Sequence, residues 1–344
     1  MVGVSPLVRR LTAAVCVLLA LPAAAAAADA GGEQVANPIA VSVAERAAPV
    51  VRLLFVGDVM LDDGPGRAIA AGRDPFADFA DEFNQADVRI GNLETSIATS
   101  GSAVPDKVYA FRARPSVIER LHGRFDALSV ANNHSGDYGP EAFLETLSLL
   151  EFAGIKAIGG GHNLAEAHAP YRVERSGLSI AILAYNEYKP RAFEAGPDWP
   201  GVAWSEDSHV LRDIAAARAA GADIVIPFMH WGWEGERTPS ARQRELARLM
   251  IDAGADAVVG GHPHVTQGSE TYAGKPIIYS LGNFVFDGFD TPAEREGWLL
   301  QLTVGANGVS HWRTIPAYLD ADGLPRRNPP APAPASAPLP APAR

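Results

Sequence analysis

A chain of 344 residues, 47% hydrophobic and 20% charged, carries enough apolar material for one large domain or two small ones. A mean hydropathy near zero argues against several membrane spans. The formal net charge of −11 repels nucleic acid and anionic membranes at long range, so nucleic acid is not expected as a partner.

The N-terminus reads as a targeting segment. Arg9 and Arg10 precede an apolar run from Leu11 to Leu21, and Ala26 and Ala28 fit a small-residue cleavage site. Residues 1–28 are therefore expected to be a signal peptide of an exported protein. The alternative is an uncleaved anchor, but the run is alanine-rich and broken by Pro22, whereas a span needs about 20 strongly apolar residues. The single cysteine, Cys16, lies in this run, so the mature chain would hold any metal through nitrogen and oxygen alone. Residues 29–49 read as a linker and 50–322 as one folded domain. Residues 323–344 read as a disordered Pro/Ala tail that cannot bury apolar surface.

Between linker and tail, strands and helices alternate. Residues 51–56 (VRLLFV) form a buried-strand run, and short strands are expected at 87–90 and 127–130. Helical spacing of Phe143, Leu147 and Leu150 predicts a helix over 140–152, stopped by Gly154. Residues 171–173 and 178–183 read as a hairpin about Ser176-Gly177. Helices at 208–220 and 240–253 flank a strand at 224–229, and strands follow at 257–259, 275–279 and 298–304. This is a mixed α/β chain with antiparallel pairs near its end, which implies a layered sandwich rather than a simple doubly wound sheet.

Five polar motifs each follow a hydrophobic strand: Gly57-Asp58, Gly91-Asn92-Leu93-Glu94, Asn132-Asn133-His134, His230-Trp231-Gly232 and Gly261-His262-Pro263-His264. Strand C-terminal ends are where open α/β sheets gather ligands, so five such groups can converge. Carboxylates, imidazoles and an amide oxygen suit one or two divalent ions of Mn, Fe or Zn. Two ions about 3.5–4 Å apart can clamp a phosphoryl group and generate a nucleophilic water near neutral pH. Glu94 would be the bridging carboxylate. In an extended His262-Pro263-His264 the two imidazoles would point to opposite faces, one for each metal.

Other residues have two readings. Arg112 is a bidentate clamp for a substrate carboxylate or phosphate, or a surface ion pair. Trp231, with Trp233 and Glu234, walls a substrate cleft or belongs to the core. Asp137 orients His134 or packs its loop. Asn283 bonds the histidine loop or caps a turn. His122, His162, His168, His209 and His311 lie outside the pattern and read as structural or surface histidines.

The order GD, GNLE, NNH, HWG, GHPH, then YSLGNFVFD, resembles the CapA family of poly-γ-glutamate capsule synthesis proteins, itself similar to calcineurin-like metallophosphoesterases. The resemblance runs from about Val51 to Leu319. It implies a four-layer α/β/β/α sandwich. It implies Asp58 as the first-strand metal ligand and Glu94 in the place of the bridging aspartate. It further implies Asn133 as the amide ligand, His230, His262 and His264 as the remaining ligands, and His134 as the acid that protonates a leaving group. One position departs: phosphoesterases carry Asp-x-His on the first strand, and here Met60 stands two after Asp58. The implied function is an exported metal-dependent hydrolase of capsule polymer synthesis, in which metal-activated water attacks a phosphoester or amide. The implied partners are an anionic polymer or phosphoester substrate and capsule synthase or export membrane proteins. The alternative is a non-catalytic, metal-containing binding or export factor for the polymer.

Overall fold

A computed structural model describes residues 49–329 apart from 190 and 192. The expected signal peptide with Cys16, the linker up to residue 48, and the tail from residue 330 lie outside the described residues. Among those described, no helix is long and apolar enough to cross a membrane.

The strands that build the two large sheets are, in chain order, β1 (Val51–Val59), β2 (Val88–Leu93), β3 (Ala127–Ser129), β4 (Lys156–Ile158), β5 (Tyr171–Arg175), β6 (Leu178–Asn186), β7 (Ile224–His230), β8 (Val258–Gly261), β9 (Thr266–Tyr272), β10 (Lys275–Leu281), β11 (Asn283–Val285), β12 (Glu296–Gly305), β13 (Gly308–Leu319) and β14 (Pro325–Arg326). The first sheet runs β14-β13-β12-β1-β2-β3-β4, with β11 also paired to β1. The second runs β9-β10-β8-β7-β6-β5. In the first, β1 to β4 are parallel; in the second, β6, β7, β8 and β10 are parallel.

Burial on both faces explains the continuous apolar strand runs. Along β1, Leu53 and Phe55 face the space between the sheets while Leu54 and Val56 face outward into a helix layer. Across the inter-sheet core Phe55 meets Phe228 of β7 edge-on, ring centroids 5.6 Å apart. Outside the first sheet lie α1 (Asp63–Ala70), α2 (Ala80–Gln85) and α3 (Gly139–Phe152), with Phe83 and Phe143 in the same outer core. Outside the second lie α4 (Asp207–Ala219) and α5 (Ala241–Asp252), contributing Ile214, Leu246 and Met250. The layers are therefore α/β/β/α, as the sequence implied. At the start of α5, Ser240 and Gln243 form a reciprocal capping box. The β5–β6 hairpin turns through Ser176 and Gly177 with φ of 51° and 78°, the type I′ geometry that a two-residue loop prefers.

Seven of these elements escape the sequence pattern: α1, α2, β4, β9, β11, β13 and β14. The edge strand β9 (TQGSETY) is mostly polar and part-exposed, and in β13 (GVSHWRTIPAYL) a bulge breaks the period of two between Val309 and Trp312, so no apolar alternation marks either. In α1, Gly64, Pro65 and Gly66 hide the helical period. The domain also extends past residue 322. Leu324 is fully buried, Pro325 and Arg326 pair with Leu319 and Tyr318, and Arg326 Nη2 donates to Asp320 at 2.7 Å. The expected tail start at residue 323 is therefore too early, because a short strand among Pro and Arg looks like low complexity.

Ending the chain after Asp322 should remove this strand and its leucine, at a cost of about 2–5 kcal/mol. Thermal unfolding should show Tm lowered by several degrees relative to a chain ended after residue 329; equal Tm values would contradict the assigned boundary.

Candidate metal centre

The parallel strands of both sheets end at one place. Asp58, near the end of β1, lies in register with Asn92 of β2. Glu94, two residues on, keeps the same side as Asn92 because side chains alternate along a strand. His230 is the last residue of β7, and His262 and His264 follow β8 directly. Asp58, Glu94 and His262 are fully buried, and His230 and His264 nearly so.

The contacts are close. Asn92 Nδ2 donates to Asp58 Oδ1 at 2.9 Å and lies 3.4 Å from Glu94 Oε2 and 3.2 Å from His230 Nδ1. His230 Nε2 lies 2.7 Å from Asn133 Oδ1, 3.1 Å from His262 Nδ1 and 3.4 Å from Glu94 Oε1. His264 lies 3.5 Å from Asp58 and 3.8 Å from Glu94, while its Nδ1 is 2.9 Å from Asn283 Oδ1. Two sets of donor atoms fall within 4.8 Å of one another: Glu94, His262 and His264, and Asp58, Glu94 and His230.

The backbone is bent to achieve this. His262 and His264 have φ of 91° and 56°. Left-handed conformations cost a non-glycine residue about 1–3 kcal/mol and cluster at functional sites. The motif is therefore not extended, and the two imidazoles do not diverge to opposite faces; both approach Glu94. At Gly261 a Cβ would come 2.8 Å from Asp58 Oδ1, so glycine alone lets this loop close over the carboxylate.

Electrostatics make the cluster unusual. Burial, then the Asp58 charge, pushes the Glu94 carboxyl well above its ordinary 4.5. Burial pulls His230 down to about 3, and burial and the neighbouring imidazoles pull His262 well below its normal range. Burial also pulls on His264, but Glu94 and Asp58 outweigh it and raise its pKa. His230 and His262 are thus neutral lone-pair donors, the form that metal ligation requires. Glu94 Oε1 and His262 Nε2 are buried with no hydrogen-bond partner among the described residues. Orphaned polar atoms of this kind are costly, and a divalent cation among them would satisfy both. The donor set of oxygen and imidazole nitrogen fits Mn, Fe or Zn.

His134 stands beside the cluster. Its Nδ1 is 2.7 Å from Asp137 Oδ2, so Asp137 orients it. Asp137 is fully buried and also accepts from Phe111 N at 2.8 Å and from Lys107 Nζ. Burial lowers the His134 pKa despite that carboxylate. Asn283 bonds the His264 loop, the first of its two readings.

Two sequence candidates lie elsewhere. Trp231 is fully buried, stacked on Tyr279 at 6.3 Å between ring centroids, with Nε1 donating to Tyr279 O at 2.9 Å. Alternation past His230 sends it into the outer core, so it walls no cleft. Arg112 donates to Ser100 O and Gly101 O at 3.1 and 3.2 Å and lies over the Tyr138 ring; its guanidinium is committed to loop structure rather than to substrate. Met60 is fully buried in an apolar cluster with Phe286 and Leu319. Sequence reasoning missed Asn92, although it shares a strand face with Glu94. It also missed Asn132, whose Nδ2 donates to Asn92 Oδ1 at 3.0 Å and whose Oδ1 accepts from His134 N at 3.0 Å. Lys107 and Tyr188 reach the centre from loops that carry no periodic signal: Lys107 Nζ donates to Asn133 O at 2.6 Å, and the Tyr188 ring lies 4.1 Å from His262.

Two facing sheets with polar loops at their shared strand ends make this a metallophosphoesterase-like fold. Solved structures agree. A putative 5'-nucleotidase from Staphylococcus aureus matches 78% of this chain and 54% of its own with a TM-score of 0.51 at 14% identity. A 5'-nucleotidase precursor from Thermus thermophilus matches 81% and 56% with a TM-score of 0.50 at 14% identity. Within that fold the chain belongs to the bacterial capsule synthesis protein family PGA_cap, whose profile matches residues 52–288. Among its relatives, the PGA biosynthesis protein CapA of Bacillus subtilis is 33% identical over 276 residues, 78% of this chain and 71% of that protein. The capsule biosynthesis protein CapA of Bacillus anthracis is 32% identical over 212 residues, 59% of this chain and 49% of that protein, so the chain spans about half of that relative.

Without a metal, Glu94 ionises at a cost, since its folded pKa lies above the ordinary 4.5. Metal-stripped protein should therefore lose stability as pH rises from about 4.5 through the folded pKa. Glu94→Gln should flatten that loss, raise Tm of the stripped protein near neutrality, and abolish the Tm gain on adding Mn²⁺. Unfolding curves across pH check this; a variant still stabilised by Mn²⁺ would remove Glu94 from the ligands.

Proposed function

We propose that the chain is an exported, metal-dependent hydrolase acting in capsule polymer synthesis, on a phosphoester or amide of an anionic polymer or its precursor. The carrying observation is the convergence of Asp58, Glu94, Asn133, His230, His262 and His264, with Glu94 Oε1 and His262 Nε2 orphaned, beside a carboxylate-held histidine. The family membership and the names of the relatives support the capsule context; synthase and export membrane proteins as partners are part of this proposal. The six residues would hold a divalent ion, Mn, Fe or Zn. That ion would supply the charge that polarises the scissile bond and brings water to its nucleophilic form.

The remaining roles belong to the chain. Asn92 and Asn132 lock the carboxylates and the His134 loop in place. Asp137 fixes the His134 tautomer, leaving Nε2 to hold or deliver a proton to the leaving atom. Lys107 lines a cleft of about 430 Å³ on the Asn133 side, where its ammonium, paired with Asp137 and donating to Asn133 O, holds the loop that carries Asn133 and His134.

A second reading, a metal-containing binding or export factor without turnover, is favoured by one observation. Met60 lies in an apolar cluster where the resemblance calls for an imidazole, so one of two ions would lack a ligand.

The test is turnover of a generic phosphodiester by purified, Mn²⁺-loaded protein. His262→Ala should lose bound metal and rate together. His134→Asn should keep its metal and lose about 10²-fold or more in kcat. Wild-type protein with no rate above His262→Ala would remove the hydrolase reading, and metal-dependent binding of polyglutamate without product would establish the second.

A further inference from the structure

The centre has a second face, away from the Lys107 side. His134 and His264 open onto a cleft of about 440 Å³. Its walls are aromatic. Phe289 lies 5.0 Å from His264 and 5.1 Å from Phe286, and Phe111 lies 4.5 Å from His134, as ring centroids. Its rim is acidic: Asp63, Glu234, Asp287, Asp290 and Glu294 line it, and among the described residues no lysine or arginine does. Arg67, 4.0 Å from both Asp63 and Asp287, offsets those two in part. Glu234 and Asp290 have no ion pair among the described residues. His134 is only 5% exposed, its Nδ1 is held by Asp137, and its Nε2 has no partner among the described residues where the ring lines the cleft.

A phosphate or a run of glutamate side chains is repelled by such a rim and gains nothing from phenyl walls. A positive charge gains from both, because the faces of aromatic rings attract cations and exposed carboxylates pair with them. Met60 belongs to the same apolar cluster as Phe111, Phe286 and Phe289. The position that departs from the phosphoesterase pattern therefore packs behind this wall.

We propose that this cleft binds an organic ammonium group, a protonated or quaternary amine, next to His134. The proposal rests on the hydrolase reading only for placing that group beside the scissile bond. In a polyglutamate chain the one such charge sits on the terminal amine, so the polymer would present its end here rather than its carboxylate-lined middle.

The experiment is calorimetric titration of the purified protein with two probes of matching aromatic body and opposite charge, benzyltrimethylammonium and benzenesulfonate. The ammonium should bind and the sulfonate should not. Phe289→Ala, and separately the pair Glu234→Gln with Asp290→Asn, should each weaken the ammonium by about 3-fold to 30-fold, the range of one cation–π or carboxylate contact. Glu234 and Asp290 are exposed, so melting curves of that pair should match wild type. Absent binding of the ammonium, equal binding of both probes, or unchanged affinity in both variants would overturn the proposal. Binding needs no turnover, so the result is readable even where the hydrolase assay fails.

Discussion

Two carboxylates and three imidazoles share one buried point where the strands of both sheets end. Burying an ionised carboxylate without compensation costs several kcal/mol, and here Asp58 and Glu94 are buried together. The fold answers in two ways. Asn92 donates into the cluster. The field and burial set the imidazoles apart, with His230 and His262 neutral and His264 raised. What stays unanswered is Glu94 Oε1 and His262 Nε2, the atoms a cation would meet.

The scaffold around this point is built to hold it against its own cost. Strands β1, β2, β7 and β8 are buried on both faces, so their ends are fixed by core on either side. That rigidity sustains left-handed backbone at His262 and His264, and Gly261 allows the loop to approach Asp58. The two sides of the centre then differ. On one, Lys107 is paired with Asp137 and holds the Asn133 loop; the other is aromatic and acidic, with Met60 packed behind its wall.

Much of this was legible in the sequence, for physical reasons. Strands buried on both faces read as unbroken apolar runs, and β1 and β7 were found that way. Polar motifs directly after such runs stood out, and the order of Asp58, Glu94, Asn133, His134, His230, His262 and His264 pointed to one family, which the comparisons bear out. What was hidden depends on information a sequence does not carry locally. Strands β9 and β13 owe their form to partners, not to their own alternation. The convergence of His262 and His264 rests on φ angles that their residue types do not prefer. Trp231 needed the alternation past His230 to be counted one residue further, and Arg112 needed its loop partners, Ser100 and Gly101. Asn92 was readable: two residues before Glu94 on one strand, it had to share its face.

The central claim is that these strand-end donors form a cation site. Calorimetric titration of Mn²⁺ into chelator-stripped protein tests it most directly. The account predicts one tightly bound ion per chain, with any second ion much weaker because Met60 supplies no imidazole, and loss of the tight site in Asp58→Asn. Heat of dilution alone, or the same isotherm in Asp58→Asn as in wild type, would contradict it.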